Sequence, residues 1–126
     1  MERNALDRAK RKRLRELVIA VDFDGTLVSD DYPDIGEPNT DLIESLKALR
    51  KKDVMVILWT CRNGYDLKQA VEAMDLHGLE FDAINSNPRS LVESFNYSDP
   101  RKVGADIYID DKACGVLEFL EIMKEV

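Results

Sequence analysis

Asp22 interrupts an otherwise apolar run, residues 17–23 (LVIAVDF). An unpaired carboxylate in such a run is expensive, so its presence asks for a chemical reason. Asp24 follows two residues later. Side chains two apart on an extended chain point the same way, so Asp22 and Asp24 can face one site. Gly25 then lets the chain turn sharply and brings backbone close to an anion. One carboxylate of such a pair can attack phosphorus. The other can protonate the leaving oxygen and afterwards activate water. Further along, Thr60 ends a second apolar run (VMVILWT, 54–60), and Asp110 and Asp111 end a third (ADIYIDD, 105–111). Lys102 lies just before the last of these. Four carboxylates converging on one crevice would repel one another unless a cation neutralised them. An oxygen-rich set with room for water suits Mg2+, and the candidate ligands are Asp22, Asp24, Asp110 and Asp111. A phosphate could bridge that metal, the Lys102 ammonium and the Thr60 hydroxyl, with Lys102 offsetting charge on the transferring group. Arg62 has two readings: a bidentate contact to a substrate phosphate or carboxylate, or a surface ion pair.

These residues need elements that bring them together. The runs at 17–23 and 54–59 are continuously apolar, as expected of strands buried on both faces of a parallel sheet. Shorter strands are expected at 81–85 and 105–110. Asn39, Thr40 and Asp41 offer caps to a helix carrying Leu42, Ile43, Leu46 and Leu49. A second helix is expected over 66–77, with Leu67, Ala70, Val71 and Met74 inward and Gly78 as its stop. Residues 86–104 read as irregular with one helical turn. A last helix carries Val116, Leu117, Leu120 and Met123. Alternating strands and helices predict an α/β fold with a mostly parallel sheet, and right-handed crossovers place helices on both faces. In such sheets ligands sit beyond the carboxyl ends of the strands, which is where the costly polar residues fall.

The 126 residues carry a net charge of -7, unevenly spread. Residues 1–16 hold seven Lys/Arg against three Asp/Glu, about +4, and the remainder holds 11 against 22, or -11. We therefore divide the chain into a basic arm, 1–16, and a domain, 17–126. The acidic body argues against nucleic-acid binding by the whole surface. The arm could bind nucleic acid locally, but a solvated, partly helical leader is the preferred reading. No run approaches the roughly 20 apolar residues of a membrane span. Two cysteines, Cys61 and Cys114, suggest no disulfide framework, so a cytoplasmic setting is expected.

The motifs resemble those of the haloacid dehalogenase-like superfamily of phosphohydrolases. The first, an apolar strand followed by DxDGT, is matched by Asp22, Asp24, Gly25 and Thr26. The second is matched by the strand ending in Thr60, the third by Lys102, and the fourth by Asp110 and Asp111 after a strand. The resemblance spans residues 17 to 125. It implies a Rossmann-like three-layer sandwich with strand order 4-1-2-3 and an aspartyl-phosphate intermediate. Under it, Asp22 is the nucleophile and a metal ligand. Asp24 is the general acid/base and offers its backbone carbonyl to the metal. Asp110 is the main ligand of the acidic pair, with Asp111 binding directly or through water. Thr60 and Lys102 hold the phosphoryl group. The stretches where relatives insert a cap are too short for one here, so a capless phosphatase is expected. Its substrate class stays open among nucleotides, sugar phosphates, polynucleotide ends and phosphoproteins, and a homo-oligomer is one way to cover the crevice.

Each residue also has a plainer reading. Asp24-Gly25 can be a turn, Asp110-Asp111 a helix cap, and Thr60 an ordinary strand residue. Asn85 can line the crevice or serve a turn, and Asn87, before Pro88, reads as a turn residue. The alternative function is a non-catalytic phosphate-binding or receiver-like regulatory domain. A receiver would carry its phosphorylated Asp on the third strand, where this chain has only Asp82 near the start.

Overall fold

The computed structural model describes residues 5–126. Four strands form one sheet: β1 (Val18–Val21), β2 (Met55–Leu58), β3 (Ala83–Ile84) and β4 (Ile107–Ile109). Their order is β3-β2-β1-β4 and every pairing is parallel. This is the expected Rossmann-like α/β arrangement, with no cap among the described residues. The chain steps from β1 to β2 to β3, then returns across the sheet to place β4 on the far side of β1. Strand order therefore reverses at β1, and a crevice opens beyond its carboxyl end.

Among the described residues five α-helices accompany the sheet, α1 (Ala5–Ala9), α2 (Thr40–Arg50), α3 (Gly64–Leu76), α4 (Arg89–Ser94) and α5 (Val116–Met123), with a short 3-10 turn at Leu14–Glu16. α2 starts where its cap residue allows: the Asn39 side chain accepts a hydrogen bond from the Leu42 amide at 3.2 Å. Such a cap is worth roughly 1 kcal/mol. Ile43 and Leu46 of α2 and Ala70 and Met74 of α3 are buried against Ile19, Val21, Val56 and Leu58 on one face of the sheet. On the other face Val18, Ala20 and Ile57 pack with Val103 and the partly buried Leu91 of α4. The strands thus contribute alternate residues to two cores. Each fully buried Leu, Ile or Val contributes roughly 1.5–3 kcal/mol.

Two regions depart from expectation. Part of the basic arm is built into the fold. Ala9 joins the main core, and Lys12 donates to Asp106 Oδ1 at 2.6 Å; the first four residues lie outside the described ones. α5 forms where the sequence places a helix, yet all of its residues are exposed. Val116, Leu117, Leu120 and Met123 do not reach a core. β4 is an edge strand, as β3 is on the other side, and among the described residues no further strand lies beyond β4 for a helix to cover.

Candidate active site

Strand register sets the site. Val21 pairs with Leu58 on one side and Ile109 on the other. The next residues of the three strands, Asp22, Trp59 and Asp110, therefore emerge together at one edge. The Asp22 amide donates to the Ile109 carbonyl at 2.9 Å, and the Trp59 amide to the Val21 carbonyl at 2.9 Å, so the ladder holds the backbone up to the point where the carboxylates begin.

Asp22, Asp110 and Asp111 each offer a carboxylate oxygen, and these oxygens lie within 4.8 Å of one another. Among the described residues no Lys or Arg forms a salt bridge with any of them. Burial pushes the Asp22 carboxyl up to about 6, with the neighbouring Asp110 and Asp111 adding to the rise and the Phe23 amide opposing it. Three hard oxygen donors and no His or Cys in the group fit Mg2+ better than zinc. Gly25 supports the same geometry. Its φ of +83° is open to glycine, and a Cβ there would fall 2.4 Å from Asp111 Oδ2. Thr26, which the sequence offers only as a motif letter, joins the two acidic segments. Its hydroxyl accepts from the Asp111 amide at 3.1 Å and donates to Asp22 Oδ2 at 3.4 Å.

Asp24 is in a different setting. Its side chain lies outside the acidic group, and both of its oxygens are taken by Arg62: Nε to Oδ2 at 2.8 Å and Nη2 to Oδ1 at 2.7 Å. A carboxylate role for Asp24 at the metal is therefore not what the fold provides, and only its backbone carbonyl remains for that purpose. Arg62 differs from both readings of the sequence. It is neither a substrate contact nor a surface ion pair, because it is 2% exposed and bound to Asp24. That partner holds its guanidinium further above its usual range.

A crevice of ≈ 420 Å³ opens beside Asp22 and Asp110, lined by Trp59, Thr60, Cys61, Asn85 and Arg101. The Thr60 hydroxyl accepts from the Arg62 amide at 3.1 Å, which leaves its own proton to donate. Asn85 lines the crevice, and its Oδ1 accepts from the Thr60 amide, 25 residues away, at 2.8 Å, which ties β3 to the end of β2. Lys102 is not among the residues that line the crevice. Its ammonium sits over the Tyr108 ring, 5.5 Å from the centroid, while Arg101 lines the crevice. The segment carrying both is held by Asn87, which is a buried anchor and more than a turn residue. Its amide nitrogen Nδ2 donates to Asp99 Oδ1 at 2.7 Å and to the Pro100 carbonyl at 3.3 Å, and its Oδ1 accepts from the Gly104 amide at 2.6 Å. Those partners are 12 to 17 residues distant, so no local pattern announces them.

Comparison with known proteins adds an independent line. Residues 19–88 match the model of a family described as haloacid dehalogenase-like hydrolase. Among solved structures the chain is similar to a conserved protein from Bacteroides thetaiotaomicron. The two are 38% identical with a TM-score of 0.66, over 86% of this chain and 90% of that one. A comparison with curated proteins finds no match. The family match covers more than half of the chain and begins at the strand that presents Asp22. The chain belongs to the haloacid dehalogenase-like hydrolases.

Proposed function

We propose that the protein is a magnesium-dependent phosphomonoester hydrolase that works through a phosphorylated Asp22. The observation that carries this reading is the group formed by Asp22, Asp110 and Asp111, with oxygens within 4.8 Å of one another and no salt bridge to Lys or Arg among the described residues. Family membership supports it, since these hydrolases generally use Mg2+. Asp22, Asp110 and Asp111 are the residues that would hold the ion, with the Asp24 backbone carbonyl. Bound there, it would neutralise the carboxylates and the phosphoryl charge.

In the first half-reaction an Asp22 oxygen forms a bond to phosphorus as the bond from phosphorus to the ester oxygen breaks. For this step Asp24, paired with Arg62 through both oxygens in the resting site, frees one oxygen, takes up a proton from solvent and gives it to the departing oxygen. In the second, Asp24 takes a proton from water, the water oxygen bonds to phosphorus, and the Asp22–phosphorus bond breaks. Inorganic phosphate leaves and both carboxyl groups return to their starting states. Thr60 donates its hydroxyl to a phosphoryl oxygen. Arg101, which lines the crevice, supplies the cation that the motif assigns to Lys102.

One experiment tests the intermediate. Under single turnover in labelled water, label should enter released phosphate, and over repeated cycles it should enter the Asp22 carboxylate only if water attacks there. With the oxygens of Asp22 labelled beforehand instead, one of them should pass to phosphate when water attacks the acyl carbon, and none when it attacks phosphorus as written above. Trapping the phosphoenzyme separates these routes from direct hydrolysis: acid quench of Asp24→Asn, in which the second step is slowed, should leave a base-labile phosphate on Asp22, and its absence together with unchanged turnover in Asp22→Asn would remove Asp22 as nucleophile.

A further inference from the structure

Arg62 spends every hydrogen it has. Nε and Nη2 hold the two oxygens of Asp24. Nη2 also donates to the Asp34 carbonyl at 2.8 Å. Nη1 donates to the Pro33 carbonyl at 3.1 Å and to the Asp66 carbonyl at 3.2 Å. A guanidinium has five N–H donors, and all five are engaged. Its carbon also lies 4.9 Å from the centroid of the Phe23 ring and 5.0 Å from that of Tyr32. Tyr32 in turn donates its hydroxyl to Asp66 Oδ2 at 3.2 Å. One buried side chain therefore gathers the end of β1, the loop of residues 29–38 and the first turn of α3.

The geometry points to Arg62 as a positioning residue that fixes the Asp24 carboxylate and clasps the 29–38 loop to α3, so that loop and carboxylate are held as one unit. This rests on the phosphatase reading for its catalytic consequence. A carboxylate gripped through both oxygens has a defined direction, whereas a free one rotates about two bonds. Lysine cannot replace this group: it has three donors in place of five and no planar face for the rings.

The test compares Arg62→Lys with wild type on two esters, para-nitrophenyl phosphate and phenyl phosphate, at saturating Mg2+. The poorer leaving group depends more on a well-aimed Asp24. Phenyl phosphate turnover should fall about 100-fold and para-nitrophenyl phosphate turnover about threefold, an effect in the range of lost general acid catalysis. Asp24→Asn and the double variant complete a cycle: adding Arg62→Lys to Asp24→Asn should leave the ratio of the two rates unchanged. Equal losses on both esters, or a ratio that shifts further in the double variant, would mean that Arg62 serves stability alone. Hydrogen exchange of residues 29–38 reads the clasp without turnover. Protection there should drop in Arg62→Lys while the exchange of β1 and β2 is kept; unchanged loop protection overturns the clasp. Should wild type hydrolyse neither ester, the phosphatase reading fails, and the exchange result still decides whether Arg62 holds the loop.

Discussion

The two ends of the parallel sheet carry the same residue type and treat it in opposite ways. At the amino end, Asp82 and Asp106 flank the strands. Asp82 Oδ2 accepts from the Val56 amide at 2.7 Å, and the carboxylate pairs with Arg50 at 3.0 Å. Asp106 Oδ2 accepts from the Val18 amide at 2.8 Å, and Lys12 pairs with its other oxygen at 2.6 Å. Each carboxylate closes one strand and has its own cation. At the carboxyl end, Asp22, Asp110 and Asp111 crowd together, and among the described residues no Lys or Arg forms a salt bridge with them. Acidic residues that satisfy backbone and cation are structural cement. Those that are gathered without a cation partner hold electrostatic repulsion that a proton or a bound cation relieves. The difference separates architecture from chemistry more clearly than acidity does.

The largest effect should come from the carboxyl end. Asp22→Asn keeps shape and removes the attacking charge, and phosphatase turnover should fall by at least ~1000-fold, the loss of several kcal/mol of barrier lowering. Steady-state rates normalised to folded protein check this, and a loss of less than tenfold would place the nucleophile elsewhere. Next is the cation. Chelation should abolish turnover and added Mg2+ restore it, while Asp110→Ala should raise the Mg2+ concentration needed for half-maximal activity by about 10-fold or more, as for a lost ligand. Full activity in chelator would erase the contrast between the two ends.

The amino end should answer to stability instead. Asp82→Ala leaves the Val56 amide without its acceptor and Arg50 without its partner. Unfolding in urea should show a loss of about 1–3 kcal/mol, the cost of a stranded donor, with turnover per folded molecule close to wild type. A variant that lost activity while keeping its stability would break the division.

The smallest expected effect concerns pH. Asp22 has its carboxyl raised to about 6 by burial, from an ordinary value of 3.8. A raised carboxyl binds its proton more tightly folded than unfolded, so its ionisation opposes folding. In chelator, its contribution to stability should be most favourable below about 3.8 and should decline as pH rises towards 6, levelling off above. Asp22→Asn should remove this decline. Thermal unfolding of the two proteins between pH 4 and 7 measures it; parallel curves would show that Asp22 is not under the strain its burial suggests. Mg2+ at pH 7 should raise the melting temperature of wild type more than that of Asp22→Asn.

The sequence by itself determined the fold class and the acidic set. Runs of apolar residues broken by Asp22, Thr60 and Asp110 are local signals, and parallel topology turns strand ends into a common edge. Helices α2 and α3 were legible from spacing and caps, because periodicity of 3.6 and an Asn39 cap are carried within a few residues. Tertiary structure decided which side chains reach that edge. Arg62 stands two residues from Thr60 in every reading, but its burial arises from Phe23, Tyr32 and Asp24, which lie far away along the chain. That Arg101 and not Lys102 lines the crevice was likewise closed to sequence. Adjacent residues point to different sides, and which one faces the crevice depends on how Asn87 anchors residues 99–104 and on the Tyr108 ring that receives Lys102. α5 marks the same boundary from the other direction. Its apolar pattern suffices to specify a helix, but burial needs a neighbour, and spacing along one chain does not say whether the sheet continues far enough to supply it.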